Sequence, residues 1–109
     1  MRAWVVLVLA VALEVTGTTA LKLSSGLTKL SWVAVVVVAY GGAFAALALT
    51  LKSLPVGLSY AVWSGLGTLG AAIVGRVFFR EAFGLPQVAG MGLIISGLAV
   101  LKLFEKVSP

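Results

Sequence analysis

Apolar positions in this chain fall into four long blocks separated by short polar breaks. The first block, residues 3–21, reads AWVVLVLAVALEVTGTTAL. The others are residues 30–51, 56–79 and 87–104. About 20 apolar residues wound as a helix match the ~30 Å hydrocarbon core of a bilayer, so the pattern predicts four short transmembrane helices. The breaks hold turn formers and charge: Lys22, Ser24, Ser25, Gly26 and Lys29 in the first, Lys52, Ser53 and Pro55 in the second, Arg80, Glu81, Gly84 and Pro86 in the third. Pro55 and Pro86 stand where a helix begins, the position at which a missing N–H costs nothing. Trp32, near the start of the second block, sits where an interfacial anchor belongs. Breaks this short turn consecutive helices antiparallel, which predicts a compact four-helix unit and a single domain over residues 1–109, with a polar tail after residue 104.

Composition points the same way. Of 109 residues, 61% are hydrophobic and 10% charged, with a mean hydropathy of +1.20; so few polar groups cannot cover the surface of a soluble domain. The first block could pass for a secretory signal, but it is span-length and carries a central acid, so it is expected to stay in the mature protein. The net charge of +5 comes from Lys and Arg scattered at block ends rather than clustered. That suits anionic headgroups and topology signals and speaks against a nucleic-acid partner. With no Cys and no His, the chain has no disulfide, no thiolate chemistry and no ordinary transition-metal ligands; no cofactor or metal is expected.

The basic residues also bear on orientation. With four spans, Arg2, Lys52, Lys102 and Lys106 lie on one side of the membrane and Lys22, Lys29, Arg76 and Arg80 on the other. The positive-inside rule needs an excess, and four against four supplies none. The balance predicts dual topology: insertion both ways round. Two copies in opposite orientation would be related by a two-fold axis in the membrane plane, as inverted repeats are in larger transporters.

Only three acids occur, Glu14, Glu81 and Glu105. Glu14 is the one stranded at mid-span, where a charge costs on the order of 2.5–3.5 kcal/mol by insertion scales, and no basic residue lies within a turn of it. Ala10, Gly17 and Thr18 share its helical face and leave room beside the carboxyl. Removing a carboxylate from water favours its protonated form, so such a group can hold either a proton or an organic cation, and that competition couples the two. Aromatic residues complete a cation site through cation–π attraction. Tyr60, Trp63 and Ser64 share one face of the third span, and Tyr40 and Phe44 one face of the second; Trp4 near a span end is a further lining candidate. Gly65 and Gly67 at the middle of the third span are candidate hinge positions. Gly90, Ile94 and Gly97 form a small-residue stripe in the fourth, suited to a dimer contact.

The segments EVTGTTALKLSSGLTKL (residues 14–30), LPVGLSYAVWSGLG (residues 54–67) and FFRE (residues 78–81), set among four short spans, resemble the small multidrug resistance family over essentially the whole chain. The resemblance implies an all-α membrane protein working as an antiparallel homodimer with dual topology in a bacterial inner membrane. It implies a proton-coupled carrier rather than an enzyme, moving small organic cations by alternating access. By that likeness Glu14 from both subunits binds proton or substrate, Tyr40, Tyr60 and Trp63 line the site, and Gly90 and Gly97 belong to the dimer contact. Glu14-Val15-Thr16-Gly17-Thr18 with Tyr40 looks like the branch that exports quaternary ammonium compounds. The run from Gly67 to Gly75 looks more like the guanidinium-exporting branch, and Trp4 stands where Tyr is familiar in the multidrug branch. Guanidinium or polyamine export is therefore the alternative substrate reading, and an accessory membrane subunit the alternative of a different class.

Overall fold

The computed structural model describes residues 2–104. Glu105 and Lys106, and with them the polar tail and one member of the charge count, lie outside the described residues. The described chain forms four α-helices and no strand: α1 (Arg2–Leu23), α2 (Leu30–Thr50), α3 (Val56–Phe78) and α4 (Leu85–Leu103). At 1.5 Å per residue, 19 to 23 residues reach roughly 28–35 Å, and all four are long and apolar enough to cross a bilayer.

The compact bundle does not form. The closest helix contacts run α2 to α1, α1 to α3 and α3 to α4, within extents of 47 × 35 × 17 Å, while α2 also meets α3 through the rings of Phe44 and Trp63. The reason lies in the solvent. Lipid tails are as apolar as Leu, so apolar faces gain nothing by closing on one another, and close packing is left to small residues. α1 has them in the right places, and its buried positions are Leu7, Ala10, Val11, Gly17 and Ala20. α1 accordingly sits in the middle. α4 buries none of its residues in the chain and touches α3 alone among the closer helix contacts.

The connections are built from local hydrogen bonds. In the first, Ser24 is fully buried; its hydroxyl donates to the Leu21 carbonyl at 2.7 Å and accepts the Leu27 N–H at 3.0 Å. Ser25, Gly26 and Leu27 all take positive φ (51°, 72° and 69°), turning the chain sharply enough for α2 to return along α1. The second connection is less polar than its sequence suggests, because Leu54 turns inward to join Leu7 and Val62 in the core, with Trp4, Leu47 and Trp63 packed around them. Pro55 is the residue just before α3 rather than its first turn. Ahead of α4, the Gly84 N–H donates to Gln87 Oε1 at 2.8 Å, and Pro86 follows in the first turn.

Candidate functional site

The middle of α1 presents Glu14 to a cavity of about 280 Å³ shared with α2 and α3. Its walls are Glu14, then Tyr40, Ala43 and Phe44 from α2, and Tyr60, Trp63 and Ser64 from α3. Helical spacing explains the grouping: 40, 43 and 44 share one face of α2, and 60, 63 and 64 share one face of α3. The rings form a continuous run. Tyr40 and Phe44 have centroids 6.4 Å apart, Phe44 and Trp63 meet edge to face at 5.6 Å, and Tyr60 meets Trp63 in the same way at 5.7 Å.

The carboxyl is held by a short hydrogen-bond chain. Thr18, one turn on from Glu14, donates its hydroxyl to Glu14 Oε2 at 2.7 Å. The same oxygen of Thr18 lies 2.8 Å from the Tyr40 hydroxyl. Because the single Thr18 proton goes to Glu14, Tyr40 is the donor to Thr18. The chain also runs in reverse. A protonated Glu14 would donate to Thr18 and Thr18 to Tyr40, whose own proton then needs an acceptor outside the chain.

Two glycines make room for this arrangement. A Cβ on Gly67 would stand 2.5 Å from Glu14 Oε1, and a Cβ on Gly17 would stand 2.5 Å from two ring carbons of Tyr40. Gly65 takes the Leu98 side chain of α4 at 2.9 Å from the same built position. α3 runs unbroken through Gly65 and Gly67, so both have a steric role beside the hinge expected of them.

The structure thus gathers Glu14, Tyr40, Phe44, Tyr60, Trp63 and Ser64 around one cavity, with Gly17 and Thr18 behind it. Ala10 is fully buried one turn before Glu14 and does not line the cavity. Trp4 is also elsewhere: it packs on the Leu7–Leu54–Val62 core, with Lys102 Nζ 4.3 Å from its ring centroid. Tyr60 makes its contact through Trp63; the hydroxyl paired to the Glu14 carboxyl belongs to Thr18. Around Gly90 and Gly97 an added Cβ would meet nothing within 4 Å, and Ile94 is half-buried. Sequence reasoning passed over Ala43, although its place between Tyr40 and Phe44 on the same face was the available signal. It also gave no hint that Gly67 is the space beside the acid, since α1 and α3 are brought together only by the fold. Two buried polar atoms, Ser59 Oγ and Trp63 Nε1, have no hydrogen-bond partner among the described residues.

Compared with known proteins, residues 2–94 match the family described as Small Multidrug Resistance protein. The chain belongs to the small multidrug resistance family. Among curated relatives, the quaternary ammonium compound-resistance protein QacE of Escherichia coli is 47% identical over 108 residues, covering 99% of this chain and 98% of that protein. A putative ethidium bromide resistance protein of Escherichia coli is 44% identical over 102 residues, 94% of this chain and 89% of the relative. A guanidinium exporter of Yersinia pestis is 42% identical over 101 residues, 93% of this chain and 97% of the relative. Family membership and the four spans make this small multidrug resistance protein a multi-pass protein of the bacterial inner membrane. These relatives bear the names of resistance proteins and exporters, not of enzymes.

Proposed function

We propose that this chain is a carrier, not an enzyme, and exports hydrophobic and quaternary ammonium cations in exchange for protons. Proton and cation compete for Glu14. The observation that carries the reading is the carboxyl of Glu14 on the wall of a cavity whose other large side chains are Tyr40, Phe44, Tyr60 and Trp63. A carboxylate and aromatic faces attract an organic cation by charge pairing and by cation–π interaction. The Tyr40–Thr18–Glu14 chain supports the exchange. It holds the carboxylate while a cation is bound, and the Thr18 oxygen can accept from Glu14 when the proton returns.

The working unit in this reading is an antiparallel homodimer with dual topology, its two Glu14 residues near the membrane midplane. The even charge count favours it. Gly65 and Gly67 serve as the hinge for alternating access, and Gly90, Ile94 and Gly97 as the dimer contact.

The test is proton-driven uptake of an aromatic quaternary ammonium into liposomes, wild type beside Glu14→Gln. The expected result is uphill uptake by wild type and none by the variant. Equal transport by Glu14→Gln overturns the coupling mechanism, and no uphill transport by wild type leaves the accessory-subunit reading. The second substrate reading, guanidinium or polyamine export, rests on the likeness to a guanidinium exporter at 42% identity. Exchange of guanidinium but not of the aromatic amine in the same assay would reverse the choice.

A further inference from the structure

A carboxylate and an aromatic ring converge at a second place in the chain. A cavity of about 190 Å³ lies between the C-terminal parts of α1 and α3, and Thr18, Thr19, Lys22, Phe79 and Glu81 are among its walls. Lys22 Nζ stands 3.8 Å from Glu81 Oε2 and 5.3 Å from the centroid of the Phe79 ring. An ammonium group is therefore already bracketed by a carboxylate and a π face, the two features that select an organic cation. The position of the carboxylate is built rather than incidental. The Glu81 N–H donates to the Gly75 carbonyl at 3.0 Å, and the Glu81 carboxyl folds back over Gly75, where any side chain would collide with it.

Two further facts decide what the pocket can do. Lys22 and Glu81 are both more than half exposed, at 57% and 55%; an ion pair of that kind is weak and readily exchanged, and the lysine stem is flexible enough to withdraw. Thr18 lines this cavity while its hydroxyl bonds Glu14 Oε2. Thr18 thus links the two cavities, lining this one and bonding the acid that lines the other.

Resting on the export reading above, we infer that the Lys22–Glu81–Phe79 pocket is a second, weaker cation site. It is a vestibule in which a small organic ammonium replaces the Lys22 side chain on its way to or from Glu14. Lys22 acts there as a tethered competitor. It keeps the pocket occupied by a cation when no substrate is present and yields when one arrives.

The experiment is steady-state exchange of benzyltrimethylammonium in proteoliposomes containing the full chain, at high salt to suppress long-range steering. Lys22→Met removes the competitor and lowers KM, roughly two- to five-fold for an exposed pair. Glu81→Gln and the charge-neutral Phe79→Leu each raise KM by a similar factor. If the pair is only a structural tie, Lys22→Met and Glu81→Gln shift KM in the same direction, and the inference is overturned. It is overturned equally if Phe79→Leu leaves KM unchanged, since charge alone would then account for the other two. Should Glu81→Gln fail to assemble, Phe79→Leu and Lys22→Met decide the matter together. Glu14→Gln is run in parallel. Its transport at the wild-type rate sinks the export reading itself, whereas a dead Glu14→Gln with no opposite shifts at positions 22 and 81 sinks the vestibule alone.

Discussion

At the scale of single residues, the Glu14 carboxyl depends on a hydroxyl group. A hydrogen bond to a charged acceptor is worth about 1.5–3 kcal/mol, so Thr18→Val, which keeps the shape and removes the hydroxyl, is expected to weaken cation binding by roughly tenfold or more. Thr18→Ser should stay close to wild type. Equilibrium binding of the ammonium at fixed pH measures both, and equal affinity in Thr18→Val would remove the Tyr40–Thr18–Glu14 chain from the mechanism. Much of this site was legible beforehand. A lone acid in a 19-residue apolar block, with aromatic residues at helical spacing on two other blocks, identifies Glu14, Tyr40, Phe44, Tyr60 and Trp63 before any coordinates. The role of Thr18 as the link to Tyr40 was not legible, because helix periodicity says which residues share a face and nothing about which faces meet. The packing of Trp4 was not legible for the same reason: its ring lies against the Leu7 core and Lys102, a contact with no periodic signature.

At the scale of elements, helix existence follows from apolar length, and the ends follow from local chemistry. Sequence cues placed the α3 and α4 starts at residues 56 and 87, against observed starts at Val56 and Leu85. The first connection is different, since its run of positive φ at Ser25, Gly26 and Leu27 has only one glycine to announce it. Gly26 has open space around it, so Gly26→Ala tests the backbone alone. The left-handed conformation costs an L-residue about 1–2 kcal/mol, and the variant is expected to lose about 1 kcal/mol of stability in detergent unfolding, with transport by the folded fraction unchanged. No loss would mean that the turn adopts another conformation at no cost.

At the scale of the whole molecule, the compact bundle expected from short connections fails because connection length fixes who is antiparallel to whom, not whether the lipid-facing surfaces close. α4 is the clearest case. It buries none of its residues in the chain, and an added Cβ at Gly97 meets nothing within 4 Å. Gly97→Leu should therefore leave the four helices of each protomer intact while raising the dimer dissociation constant by roughly tenfold, since bulk at a close helix contact keeps the backbones apart. Sedimentation in detergent reads the second effect and circular dichroism the first; undisturbed association would move the contact off this stripe.

Three of the four helices, α1, α2 and α3, wall the Glu14 cavity, and α4 buries none of its residues in the chain. In the proposed dimer, the neighbour that faces the Glu14 cavity would contribute the opposing half of its chemistry. Specificity is then a property of pairing as much as of coding: the same polypeptide beside a different companion would greet a different set of molecules, with no mutation in its own gene.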